Sequence, residues 1–237
     1  MRLFAISDLH LSGSSPKPMD IFGWENHWER IQADWSSKVA EEDLVLIGGD
    51  ISWAMQLQDA QVDLEEIGRL PGKKLLLRGN HDYWWGSLGK VRSILPAGMQ
   101  VLQNDAFAYG NWVIAGTRGW NCPTGNHANA QDEKIFQREV QRLELSLKQA
   151  EKLRQMGQPL VVMMHYPPFD EKRQPSPFTD LMERYGVSLA TYGHLHGNHL
   201  KSVFEGTLRG VEYRMVSCDY LQFQVADLTP QVEERKS

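Results

Sequence analysis

The chain has 237 residues, a hydrophobic share of 41%, eight tryptophans and a formal net charge of -5. So much apolar side chain excludes a disordered or fibrous class, and the length suits one α/β domain, so residues 1–237 are read as a single domain. Lysines and arginines are scattered and outnumbered by acids, which disfavours a duplex nucleic-acid partner, and no run approaches the length that spans a bilayer.

Leu3 to Ile6 is a short β-rich run, and Asp8 and His10 follow it at once. The opening Met1 to Ser7 is far shorter than the apolar region of a signal peptide, so a soluble, cytoplasmic protein is expected. After a loose loop from Ser12 to Pro18, Trp24, Trp28, Ile31 and Trp35 recur at helical spacing. They predict a helix packed on the core, with a substrate-covering lid as the alternative. Leu44 to Ile47 is the next β run, closed by Gly48-Gly49-Asp50, and Leu57, Ala60, Leu64 and Ile67 form one apolar helix stripe. Lys74 to Leu77 leaves a Leu70-Pro71-Gly72 turn and ends in Arg78-Gly79-Asn80-His81-Asp82.

Trp112 to Ala115 predicts a further strand, and Phe136, Val140, Leu143, Leu147 and Ala150 a second helix stripe. Leu160 to Met164 ends in His165, and Ser188 to Tyr192 ends in Gly193-His194-Leu195-His196. Beyond His199, the runs Val203-Phe204, Val211 to Val216 and Leu221 to Val225 predict antiparallel strands, and Glu233 to Ser237 a frayed charged end. Strands alternating with helices give a layered α/β fold with mixed sheets. Cys122 and Cys218 lack partners at zinc-site spacing and are read as reduced, buried thiols.

The chemistry lies where the apolar runs stop. In open α/β sheets ligands bind beyond the carboxyl ends of strands, and Asp8, His10, Asp50, Asn80, His165, His194 and His196 all stand there. If strand geometry persists, Asp8 and His10 share one face, as do His194 and His196, so each pair could chelate from one strand end. The Asp50 carboxylate can bridge two cations, and the neutral Asn80 carbonyl can ligate without adding negative charge. Such a pocket would hold two divalent ions, stay net positive and suit phosphate, with a metal-activated hydroxide attacking in line. His81, one residue past Asn80, can face the substrate and protonate the leaving oxygen. His27, His127 and His199 fall outside this pattern and are read as structural. Tyr83, Trp84 and Trp85, with Arg118, Trp120 and Asn121 further on, either hold a planar leaving group or pack the rim.

At Asp8-Leu9-His10, Gly49-Asp50, Gly79-Asn80-His81-Asp82, His165 and Gly193-His194-Leu195-His196 the chain resembles the calcineurin-like metallophosphoesterase superfamily. The resemblance implies a four-layer sandwich of two mixed β-sheets flanked by helices. It also implies one metal held by Asp8, His10, Asp50 and His196 and another by Asp50, Asn80, His165 and His194, with His81 as catalytic histidine. Manganese, iron and zinc all suit the mixed donors. Arg78 is similar to the phosphate-contacting arginine of the protein Ser/Thr phosphatase branch. That branch carries an aspartate-arginine-glycine run soon after its GD block, whereas this chain reads Asp50-Ile51-Ser52-Trp53-Ala54-Met55.

The expected function is hydrolysis of a phosphate monoester or diester of a small phosphorylated molecule. A nuclease or cyclic-nucleotide phosphodiesterase of the same chemistry, and a non-catalytic scaffold, are the alternatives.

Overall fold

A computed structural model describes residues 1–14, 17, 19–123 and 129–229; His127 and Glu233 to Ser237 lie outside them. Two sheets form the centre. The first has the order β11-β1-β2-β3-β4, built from Leu3–Ile6 (β1), Leu44–Ile47 (β2), Lys73–Leu77 (β3), Met99–Leu102 (β4) and Ala226–Asp227 (β11). The second has the order β5-β6-β7-β8-β10-β9, from Phe107–Tyr109 (β5), Trp112–Thr117 (β6), Leu160–Met164 (β7), Leu189–Tyr192 (β8), Gly206–Leu208 (β9) and Val211–Met215 (β10). Within each sheet the inner strands run parallel, and β5, β9 and β11 pair antiparallel at the edges.

Side-chain alternation sorts the layers. Leu3, Ala5, Leu44, Leu46, Leu75 and Leu77 point from the first sheet against Trp112, Ile114, Val161, Met163 and Leu189 of the second, and all are buried. Their neighbours Phe4, Ile6, Val45, Ile47 and Leu76 face outward onto Ile31 and Trp35 of His27–Lys38 (α1), Ala60, Leu64 and Ile67 of Leu57–Arg69 (α2) and Val91 of Leu88–Ile94 (α3). On the other side Val113, Ala115, Val162, Met164 and Ala190 meet Phe136, Leu143, Leu147 and Ala150 of Ala130–Leu153 (α4) and Phe178, Leu181 and Met182 of Pro177–Arg184 (α5). The architecture is therefore a four-layer α/β sandwich. Both faces of the central strands are covered, which is why they read as continuous apolar runs.

Three expectations are corrected. Val203-Phe204 and Leu221 to Val225 form no strand; the first follows a 3-10 turn and the second lies in turns before β11. Trp24 precedes α1 instead of joining it, although Ile31 and Trp35 pack in the core as the spacing predicts. The exposed Ile21 and Phe22 sit in a single 3-10 turn, Met19–Phe22, ahead of it. Among the described residues Cys122 and Cys218 are free, with Cys218 buried and Cys122 partly so, and no helix is long and apolar enough to cross a membrane.

Candidate metal centre

The parallel strands stop where their apolar runs stop, and the chain then turns sharply. Asp8 (φ 61°), His10 (φ 47°), Asp50 (φ 50°) and His194 (φ 72°) all adopt left-handed backbone. Few side chains tolerate that region, and Asp and His are among those enriched in it. Strand alternation therefore does not govern these residues. Asp8 and His10 reach the same cluster through turns, while His194 and His196 part company.

Asp8, His10 and His196 present ligand atoms within 4.8 Å of one another, and Asp50, His165 and His194 do the same. The clusters meet at Asp50, whose Oδ2 is 3.4 Å from His165 Nε2 and 3.8 Å from His10 Nε2. Asn80 Oδ1 lies 2.7 Å from His165 Nε2. All seven residues singled out from the sequence thus surround one pocket, fed by β1, β2 and β3 on one side and β7 and β8 on the other. Backbone must come close for this to happen: a side chain at Gly79 would collide with the Asp50 carboxylate, and one at Gly193 with that of Asp8.

The charges are set by burial and mutual proximity. Burial resists ionisation of Asp8 and Asp50, yet the surrounding histidines outweigh it, holding Asp50 down at about 2 and Asp8 lower still. Burial lowers His10 to about 4 and His194 to about 3, with His165 adding to the push on His194, so both rings are neutral with lone pairs free to ligate. Burial opposes charge on His165 and His196 too, but carboxylate neighbours win and raise them to about 9 and about 10.

These donors fit cations. His165 Nδ1 faces the Gly48 carbonyl at 3.0 Å, which needs a proton on Nδ1, while Nε2 faces two further oxygens, Asn80 Oδ1 and Asp50 Oδ2. A neutral imidazole cannot donate at both nitrogens, so positive charge is called for at Nε2. His196 repeats the pattern: Nδ1 meets Asp219 Oδ1 at 2.9 Å, leaving a buried Nε2 that has no hydrogen-bond partner among the described residues and lies 3.2 Å from Asp8 Oδ1. Metals compete with protons for such sites.

His81 stands beside the first cluster, its ring 5.7 Å from His10 and 4.8 Å from Trp53, and its amide donates to Asp50 Oδ1 at 2.8 Å. Burial lowers its pKa, with Asp50 pulling the other way. Arg78 joins neither cluster; it lines a small cavity with Thr117, Arg118, Glu139 and Arg142. Trp84 and Trp85 are buried in the helical layer and Tyr83 is exposed, edge-on to His81.

Sequence reasoning assigned no role to two carboxylates that the structure puts to work. Buried Asp82 accepts from the amides of Gly79 (2.7 Å), Ile51 (2.8 Å) and Ser52 (3.3 Å) and from Trp84 Nε1 (3.0 Å), pinning the Asp50 and Asn80 loops together. Asp219 orients His196. It follows the Val211 to Val216 run closely, the same positional signal that marked the others. Trp53 stacks on His10 at 4.6 Å, and Trp24 lies edge-on to His196 at 5.3 Å.

The family model of calcineurin-like phosphoesterases matches residues 1–198. The chain belongs to that family. Among solved structures it is similar to the protein of unknown function AQ665 from Aquifex aeolicus, at 14% identity and TM-score 0.51, covering 99% of this chain and 98% of that one. It also resembles the phosphopantetheinyl hydrolase PptH from Mycobacterium tuberculosis, at 15% identity and TM-score 0.55, covering 100% and 93%. The protein TT1561 of Thermus thermophilus is similar at 13% identity and TM-score 0.57, covering 82% of each chain. These likenesses show the fold. No curated protein matches the chain.

Proposed function

We propose that this phosphoesterase uses two divalent ions to hydrolyse a phosphate monoester or diester of a small molecule. The observation that carries the reading is the pair of donor clusters joined at Asp50 Oδ2. One ion falls to Asp8, His10, Asp50 and His196 and the other to Asp50, Asn80, His165 and His194; manganese, iron and zinc all suit such mixed donors. Bound there, the ions supply Lewis acidity that makes water nucleophilic near neutral pH and neutralises phosphoryl oxygens.

The chain's own groups do the rest. Of the seven assigned donors two are carboxylates, Asp8 and Asp50, so two bound dications would leave the donor set net positive toward phosphate. His81, whose amide donates to Asp50 Oδ1, is assigned the transfer of a proton to the leaving oxygen. Arg78 is assigned to substrate binding. The reading keeps residues 1–237 as one domain acting in the cytoplasm.

A nuclease or cyclic-nucleotide phosphodiesterase is the second reading. It is favoured by a largely apolar cavity of about 370 Å³ that Met19, Phe22, Trp24 and Trp53 form over His10, His81 and His196, where a planar base could stack. A panel of phosphate diesters against monoesters separates the two, and turnover of monoesters alone removes it. The main test is Asp50→Asn. Metal-stimulated hydrolysis of aryl phosphates should disappear and bound metal, measured by mass spectrometry, should fall; unchanged turnover overturns the proposal. A scaffold reading would require little bound metal and no turnover after manganese, iron or zinc loading.

A further inference from the structure

Beside the Asn80 and His165 end of the candidate centre lies a second concentration of charge with no part in it. Arg78 leaves the end of β3, Arg118 leaves the end of β6, and Arg142 reaches over from α4. With Leu77, Leu102, Gln103, Asn104, Thr117 and Glu139 they line a cavity of about 70 Å³ between the two sheets at their carboxyl ends. Glu139 is the acidic side chain of this lining, fully buried and already engaged by Thr117 Oγ1 at 2.8 Å and Arg142 Nη1 at 2.7 Å. Arg118 Nη2 comes no nearer to it than 3.7 Å, and Arg138, outside the lining, approaches at 3.8 Å.

Positive charge therefore exceeds negative here. Burial pushes the Arg118 guanidinium below its ordinary value, and Arg78 and Arg142 push the same way, against Glu139. Among the described residues neither Arg78 Nε nor Arg118 Nε has a hydrogen-bond partner, although both are buried. Buried donors left unsatisfied are rare in folded proteins and cost free energy unless something accepts from them. The cavity has room for a few atoms, and guanidinium forks match the oxygens of a phosphate or carboxylate.

The site is also adjacent to the chemistry. Arg78 is two residues from Asn80, within about 7 Å along the chain, and the Arg118 carbonyl accepts from the amides of His165 (3.1 Å) and Tyr166 (2.9 Å).

We propose that this cavity binds a second oxyanion, carried by the same substrate as the scissile phosphate, so that the substrate class is a small phosphoester bearing another phosphate or carboxylate. The substrate part rests on the phosphoesterase reading; the anion site does not. It refines the role of Arg78 from contact with the reacting phosphate to contact with the remote one.

The test begins with chelator-treated protein and inorganic phosphate, followed by calorimetry and phosphorus NMR. One binding event with Kd near or below ~1 mM is expected, weakened at least about tenfold in Arg118→Met and strengthened in Glu139→Gln, which removes the competing carboxylate. Arg142→Met, at a partly exposed position, provides a second weakened variant should Arg118→Met fold poorly, as judged by circular dichroism. No binding, or binding unchanged in all three variants, overturns the anion site. The second arm uses metal-loaded enzyme on aryl phosphates with and without a carboxylate or second phosphate at varied spacing. Arg118→Met should raise KM for the doubly anionic compounds and spare the others. An equal change in both sets overturns the assignment to substrate and leaves free phosphate as the occupant. Phosphate binding that responds to the variants in an enzyme without turnover overturns the phosphoesterase reading instead.

Discussion

Asp8 shows how one side chain is made ready for a cation. Its Oδ2 accepts from the Ser7 hydroxyl, from Ser217 Oγ at 2.8 Å and from the His194 amide at 3.1 Å; the same amide reaches Oδ1 at 3.3 Å, and Oδ1 faces His196 Nε2 at 3.2 Å. Asp219 does for His196 what the Gly48 carbonyl does for His165, fixing the protonated nitrogen so that the opposite lone pair points inward. Replacing Asp219 with Asn should therefore weaken metal affinity by about 10- to 100-fold with the fold intact, measurable by competition with a chromogenic chelator. Gly193→Ala is expected to do more damage, because the added methyl would drive into Asp8 and Ser7. Loss of bound metal together with about 1–3 kcal/mol of stability in denaturant titrations is the outcome to look for. The residues that gather in the two clusters were legible in the sequence because each closes an apolar run. Their division between two clusters was not legible from alternation, since left-handed backbone at His194 ends the strand rule just where it was applied. The resemblance to known phosphoesterases supplied that division.

Among the elements, β3 carries an unusual burden. Lys74 is buried within it and sends its Nζ to the Leu70 carbonyl at the end of α2, with Gly68 O at 3.4 Å. A cation suits the negative end of a helix, yet burial drives its pKa from 10.5 to about 8. The folded state thus holds its proton less tightly than the unfolded chain. Between about 8 and 10.5 the unfolded chain binds more protons at this site, so Lys74 should contribute a rise in stability with pH across that window, of at most about 3 kcal/mol. His165 and His196, raised to about 9 and about 10, slope the other way in this range, so the check is the difference in urea stability between the wild-type chain and Lys74→Met, which should grow with pH. The helix stripes at Ala60, Leu64 and Ile67 and at Phe136, Leu143, Leu147 and Ala150 were readable because each faces one sheet. The misread segments Val203-Phe204 and Leu221 to Val225 are apolar for another reason. Phe204 packs against Phe169 at 4.8 Å and hydrogen-bonds Tyr192 through its backbone, so tertiary packing makes it apolar without a strand ladder.

On the scale of the whole molecule, the pocket joins the two sheets. Asp8, His10, Asp50 and Asn80 come from the first, and His165, His194 and His196 from the second. Bound ions should tie the layers together, so stripping with a chelator should lower the melting temperature by on the order of 5–10 °C, given about 2.7 kcal/mol at a hundredfold excess of metal over Kd. Scanning calorimetry before and after metal return checks it, and an unchanged transition would mean the ions do not bridge. The same division has a consequence for how the molecule comes into being. Even β1 waits for β11, contributed by the far end of the chain, to cover its edge. On the ribosome Asp8, His10, Asp50 and Asn80 emerge long before His165, His194 and His196, which complete the clusters. A nascent chain therefore lacks the full donor set of either cluster until β7 and β8 have been synthesised.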